Sequence, residues 1–154
     1  MWIIICSQLF EVVAYIHYDA HIWHNDIKAD NILLTEDQDI SHCKYQVILS
    51  DFGKATPISS GRQYNFSEPE KVQYLTKYPH VASEVVHGES KQTTLSDMYA
   101  VSVFFYKLLD HNCFSSCSQS LRKDFSSLFT KCRAVDFCHR TSAKQCIRTL
   151  KCHN

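Results

Sequence analysis

Glycine is scarce. Only Gly53, Gly61 and Gly88 occur in 154 residues, so no G-x-G-x-x-G phosphate-binding turn exists in this sequence. Net charge is absent too, because 16 Lys and Arg balance 16 Asp and Glu. A neutral chain has no basic field to draw nucleic acid and carries no acidic tail. No nucleic-acid partner is therefore expected. Long apolar runs are also lacking. The opening MWIIICSQLF is broken by Gln8, followed by Glu11, and is too short to span a bilayer. It lacks the basic n-region and cleavage pattern of a signal peptide. No membrane partner is expected, and the reading is an intracellular, cytoplasmic protein. No repeat or low-complexity segment is visible. The length suits one domain or part of a larger one, and it can bury a core.

Cysteine, by contrast, is plentiful, with eight residues. Without a signal peptide, reduced thiols are expected rather than a disulfide scaffold. Cys113, Cys117, Cys132 and Cys138 cluster, and His139 adjoins the last of them. No C-x2-C pair occurs, and the spacings fit no standard zinc finger.

Hydrophobic periodicity gives the elements. Ile5, Leu9, Val12, Val13 and Ile16 recur every three or four residues, which predicts a helix over 2–17. Residues 32–34 and 45–49 are short apolar runs on either side of a polar link and suggest a β-hairpin. Residues 51–79 are polar and irregular, with Gly61, prolines and several serines, and read as a long surface loop. LSDMYAVSVFFYKLL, at 95–109, reads as a helix buried on most sides. Two further helices are expected near 120–132 and 142–151. The fold class is mainly α with a small antiparallel β-hairpin region.

The densest polar cluster is HNDIKADN, at 24–31, directly before the apolar run Ile32-Leu33-Leu34. Taken alone, Asp26 and Asp30 are the kind of residue that caps a helix or makes a turn. The residues downstream change that reading. HNDIKADN fits H-x-D-x-K-x-x-N, and DFG comes at 51–53. VASEV at 81–85 is similar to A-P-E, SDMYAVSVFFYKLL to a buried central helix, and HRTSAKQCIRTL to a closing helix. In this order the landmarks resemble those of the protein kinase family. The resemblance covers nearly all of the chain but only the C-terminal half to two-thirds of a kinase domain.

The resemblance implies a kinase-like C-lobe without an N-lobe, spanning residues 1–154. It implies a catalytic loop at 24–31, a metal-binding loop at 51–53 and an activation segment at 51–84. The central helix would lie near 95–109, and the last helices near 120–151. The implied activity is transfer of the ATP γ-phosphate to a serine or threonine hydroxyl of a protein substrate, with Mg2+. Phosphoryl transfer asks mainly for positioning and charge stabilisation. Asp26 would orient the acceptor hydroxyl and take its proton, and Lys28 would steady the transferring group. Asn31 and Asp51 would supply hard oxygen ligands to the metal. Leu33 matches a position on the floor of the adenine site. Phe52 would pack inward, and Gly53 would free the backbone at its turn. His24, Asp97 and the pair Glu84 and Arg140 match scaffold positions. Asp97 would accept backbone N–H groups near His24 and Asn25. Lys28 follows the serine/threonine pattern, and Thr76 stands near the threonine such kinases place late in the activation segment.

The chain also departs from the family pattern. Asn25 replaces an arginine that normally pairs with a phosphate on the activation segment, and an amide makes no bidentate ionic contact. Ser83 replaces the proline of A-P-E. No strand lysine or glycine-rich loop is present, and the 109–120 segment is short. A rival reading is a pseudokinase-like module that binds a partner and catalyses nothing. A third, a zinc-stabilised interaction domain, rests on the cysteine cluster alone. The uncovered inter-lobe face would favour self-association or a covering partner.

Overall fold

The computed structural model describes residues 2–36, 45–111, 113–115 and 117–151. The polar link of the hairpin at 37–44 lies outside them. The chain is mainly helical with small antiparallel sheets. In order the elements are α1 (Trp2–Tyr18), β1 (Ile22–Trp23), β2 (Ile32–Glu36), β3 (Tyr45–Leu49), β4 (Thr56–Pro57), α2 (Glu68–Lys77), α3 (Ser83–Val86), α4 (Thr94–Asp110), α5 (Gln119–Cys132) and α6 (Ala143–Lys151).

The apolar stripe of α1 is buried as its spacing requires, through Ile5, Leu9, Val13 and Ile16, with Cys6 and Phe10 beside them. This face packs on α6 and β3. Gln8, the polar break in the opening run, is bound into the fold. It accepts the Val47 N–H at 2.8 Å and donates to the Tyr45 carbonyl at 3.1 Å, so it ties α1 to one edge of β3. Against α4 and α5 the core is aromatic. Phe105 stacks on Phe129 with centroids 4.5 Å apart, and Phe10, Phe114 and Phe125 pack around them. Offset rings at these distances add to the burial of their area.

The hairpin pairs β2 with β3 in the register Ile32↔Leu49 and Leu33↔Ile48. Alternation turns Val47 and Leu49 to the core and leaves Gln46 and Ile48 outside. Leu33 shares the outer face with Ile48 and is 47% exposed. A second, two-residue ladder joins β1 to β4.

The 51–79 stretch departs from expectation. It contains α2, a ten-residue helix. Its start is fixed by Ser67, whose N–H donates to Glu70 Oε2 at 2.8 Å, and by Pro69 in the first turn. A short salt bridge from Lys71 to Glu68 supports the same turn. Polar composition suggests a loop, but the S-x-x-E signature and one aromatic flank hold a helix. Tyr74 of that flank packs on Phe66 and Tyr78.

Candidate active site

The site is built on α4. Thr93 caps this helix by accepting the N–H groups of Leu95 and Ser96. That places Asp97 in the first turn, where a carboxylate is favoured. Asp97 is 1% exposed, so an unsatisfied charge there would be costly. It is fully engaged. Oδ2 accepts the His24 N–H at 2.8 Å and His17 Nε2–H at 2.9 Å, and Oδ1 accepts the Asn25 N–H at 2.9 Å. The scaffold expectation for Asp97 agrees with this geometry, while nothing in the sequence points to His17. The backbone of the 24–31 loop is thus suspended from one buried carboxylate.

Asn25 takes a left-handed backbone with φ 65°, a region asparagine tolerates better than most residues. Its side chain does not face solvent as a phosphate-binding arginine would. Nδ2 donates to Thr56 Oγ1 at 2.9 Å and to the Lys54 carbonyl at 3.1 Å. A neutral amide therefore links the 24–31 loop to the segment after β3.

Asp26 sits at the centre and is 3% exposed. Lys28 Nζ lies 3.3 Å from Oδ2. Asn31 Nδ2 donates to the Asp26 carbonyl at 2.8 Å and approaches Oδ2 at 3.4 Å. Two further groups reach Oδ1: Lys54 Nζ at 2.9 Å and His80 Nε2 at 3.1 Å. Burial pushes the Asp26 carboxyl up, but the hydrogen bonds from Lys54, His80 and Lys28 together outweigh it and hold the group at about 2. Burial, aided by the Lys28 and Lys54 charges, lowers the His80 pKa against the opposing pull of Asp26, which favours the neutral imidazole.

The hairpin brings the second motif to the same place. Ser50 N–H donates to the Asn31 carbonyl at 2.8 Å, one step beyond the Ile32↔Leu49 pair. Asp51 therefore leaves β3 where Asn31 enters β2. Asp51 has φ 59°, and its Oδ1 accepts the Gly53 N–H at 3.2 Å. The strained backbone belongs to Asp51 and not to Gly53, contrary to expectation. What Gly53 supplies is room, since a Cβ there would come within 3.1 Å of Asp51 Oδ1. Phe52 also departs from expectation. It is 42% exposed and rests on the His24 ring at 4.8 Å instead of packing inward. His24 in turn reaches the Ser50 carbonyl through Nε2 at 3.0 Å. Its buried, packed position agrees with a scaffold role.

Glu84 and Arg140 form the expected buried pair, bidentate at 2.6 and 2.9 Å. Thr76 lies on α2, and its hydroxyl donates to its own helix at the Val72 carbonyl, 2.8 Å away. It does not reach Asp26; His80 does. The clustered cysteines are divided between core and surface. Cys132 is buried with its Sγ 3.4 Å from that of Cys146, whereas Cys138 is exposed. Among the described residues no group of three or more His, Cys, Asp or Glu could hold a metal ion. Lys54 and His80 are invisible to sequence reasoning. They lie 28 and 54 residues from Asp26, and no local spacing signals either contact.

The oxygens offered by Asn31 and Asp51 fit a hard divalent cation. The amide of Asn31 is oriented by its Nδ2 donation, which leaves Oδ1 as the acceptor the loop does not use. Asp51 spends one hydrogen bond on its own turn.

Comparison with known proteins places the chain. Residues 3–144 match the family model described as the protein kinase domain. A 102-residue stretch is 31% identical to extracellular signal-regulated kinase 2 of Dictyostelium discoideum, covering 66% of this chain and 26% of that protein. Another relative is serine/threonine-protein kinase RIM11/MSD1 of Saccharomyces cerevisiae, 28% identical over 102 residues, or 66% of this chain and 24% of that protein. The chain spans about a quarter of the length of the curated relatives it matches. With the family model covering most of its residues, this chain belongs to the protein kinase family.

Proposed function

We propose that these residues form the C-lobe of a serine/threonine protein kinase, with the catalytic loop at 24–31 and the activation segment at 51–84. The reaction is transfer of the ATP γ-phosphate to a serine or threonine hydroxyl of a protein substrate, in an intracellular, cytoplasmic setting. One observation carries the reading. The Asp26 carboxylate lies within reach of both Lys28 and Asn31, in a loop hung from buried Asp97, and the hairpin delivers Asp51 to the same end. Asp26 orients the acceptor hydroxyl and receives its proton. A carboxyl held at about 2 stays ionised throughout the physiological range and so can accept the hydrogen bond of the hydroxyl. Lys28 places positive charge where the transferring group passes. Asn31 and Asp51 hold Mg2+, which when bound neutralises charge on the phosphates. Leu33 supplies apolar floor to the adenine.

A second reading has an observation of its own. Leu33, Leu34, Ile48 and Phe52 are all exposed large apolar residues of the hairpin and DFG turn. Leu33 and Ile48 are paired on the outer face of the hairpin, and such a face suits a covering partner, as a pseudokinase-like binding module would have. The test is made with the chain joined behind the N-terminal lobe of a related kinase and given peptides carrying serine, threonine or tyrosine. Mass spectrometry should find phosphate on serine or threonine. Phosphate on tyrosine alone would overturn the specificity, and none on any peptide would favour the binding module.

A further inference from the structure

The two oxygens of Asp26 are treated differently. Oδ1 takes the short contacts, Lys54 at 2.9 Å and His80 at 3.1 Å. Oδ2 has only the longer ones, Lys28 at 3.3 Å and Asn31 at 3.4 Å. An ionised carboxylate only accepts, so His80 must carry its proton on Nε2 to make this bond. The ring is held in place. It is largely buried, and it stands edge-on to Tyr78 with centroids 6.2 Å apart and planes at 88°. His80 comes from the segment just before α3, Lys54 from the turn after β3, and Lys28 and Asn31 from the 24–31 loop itself. These groups bond directly to Asp26, and Tyr74 of α2 stands close enough to feel its charge. Three segments thus converge on one side chain, and His80 is the one that binds it from the end of the activation segment.

We propose that His80 is a positioning residue. It donates Nε2–H to Asp26 Oδ1, fixes the rotation of the carboxylate, and leaves Oδ2, beside Lys28, to receive the acceptor hydroxyl. The last clause rests on the kinase reading; the hydrogen bond does not. The consequence is a direct tie between the activation segment and Asp26 that involves no phosphate. Displacing the segment before α3 removes one of the two donors to Oδ1 and leaves Lys54 alone on that oxygen, which loosens the rotation of the carboxylate. Misplacement of a reacting group by about 1 Å costs on the order of a hundredfold in rate.

The test uses the 154-residue chain and needs no nucleotide. Long-range nitrogen–proton spectra of the unaltered chain should show neutral His80 protonated at Nε2. The Nδ1–H tautomer would overturn the proposal, whatever any variant does. The Asp26 carboxyl carbon is then followed from pH 7 downward in two variants. His80→Phe keeps a ring without the donor, and its Asp26 should begin to titrate about one pH unit higher than in the unaltered chain. His80→Gln restores a side-chain N–H and should bring the titration back down. Identical traces for His80→Phe and the unaltered chain would contradict the proposal. Absence of phosphoryl transfer with all these signals as expected would count against the kinase reading and uphold the His80–Asp26 link.

Discussion

At the scale of single residues, two aspartates divide the work. Asp26 carries the proposed chemistry and Asp97 holds it in place, and both are buried. Their surroundings lead to different predictions. The Asp26 carboxyl is lowered from an ordinary 3.8 to about 2 in the folded chain. A depressed carboxyl contributes stability that is present above its unfolded pKa and lost as pH falls through its folded one. Urea midpoints should therefore fall between about pH 4 and pH 2, and Asp26→Asn should flatten that part of the profile. A profile of unchanged slope in the variant would contradict the assignment. Asp97 binds two backbone N–H groups and His17. Stranding each buried donor costs about 1–3 kcal/mol. Asp97→Ala should lower Tm by at least about 5 °C for a chain of this length. Asp19→Ala on the exposed end of α1 should move it little. Equal shifts for the two would refute the buried role. Asp97 is legible because a lone carboxylate in an apolar helix demands donors. His17 is not, because its partner lies 80 residues away.

At the scale of elements, legibility follows burial. The helices with a continuous apolar stripe, α1 and α4, match their expected spans within a residue or two. So does the hairpin, whose period-two alternation is set by the core face of β3. The 51–79 stretch reads as a loop because α2 buries no residue, so its composition carries no apolar stripe. Its capping signature at Ser67 and Glu70 is the available sign. Three-dimensional constraint on this segment is heavy despite its polarity. Gly61 lies against Trp23, where an added Cβ would approach Trp23 Cζ3 to 2.4 Å and the Gln92 carbonyl to 3.0 Å. Arg62, next along, accepts the Gln92 N–H at its carbonyl. Gly61→Ala should therefore shift Trp23 fluorescence and destabilise the chain, because overpacking typically costs about 1–3 kcal/mol. A Gly61→Ala variant with unaltered fluorescence and Tm would show that the segment does not rest on Trp23.

At the scale of the whole molecule, the proposed site is half of a cleft. The 154 residues hold the loop, the proposed metal ligands and the proposed apolar floor, but no glycine-rich loop and no strand lysine. Each charge-assisted contact of that kind is worth about 1.5–3 kcal/mol, and every 1.4 kcal/mol is about tenfold in affinity. By itself this chain should bind Mg–ATP in the millimolar range or weaker. Its exposed Leu33, Leu34, Ile48 and Phe52 should drive self-association, visible by sedimentation. Micromolar binding by a monomer would contradict the half-cleft account. The candidate site is legible to the extent that chemistry is local. Asp26, Lys28, Asn31 and Asp51 stand in two short motifs, whereas Lys54 and His80 reach the same carboxylate only through the fold. The most direct test of the central claim is phosphoryl transfer by Asp26→Asn, made in the chain joined behind a kinase N-terminal lobe and compared with the unaltered joined chain. The account predicts that turnover is lost by a factor of at least about a hundred while Mg–ATP binding is kept. Undiminished turnover in that variant would contradict it.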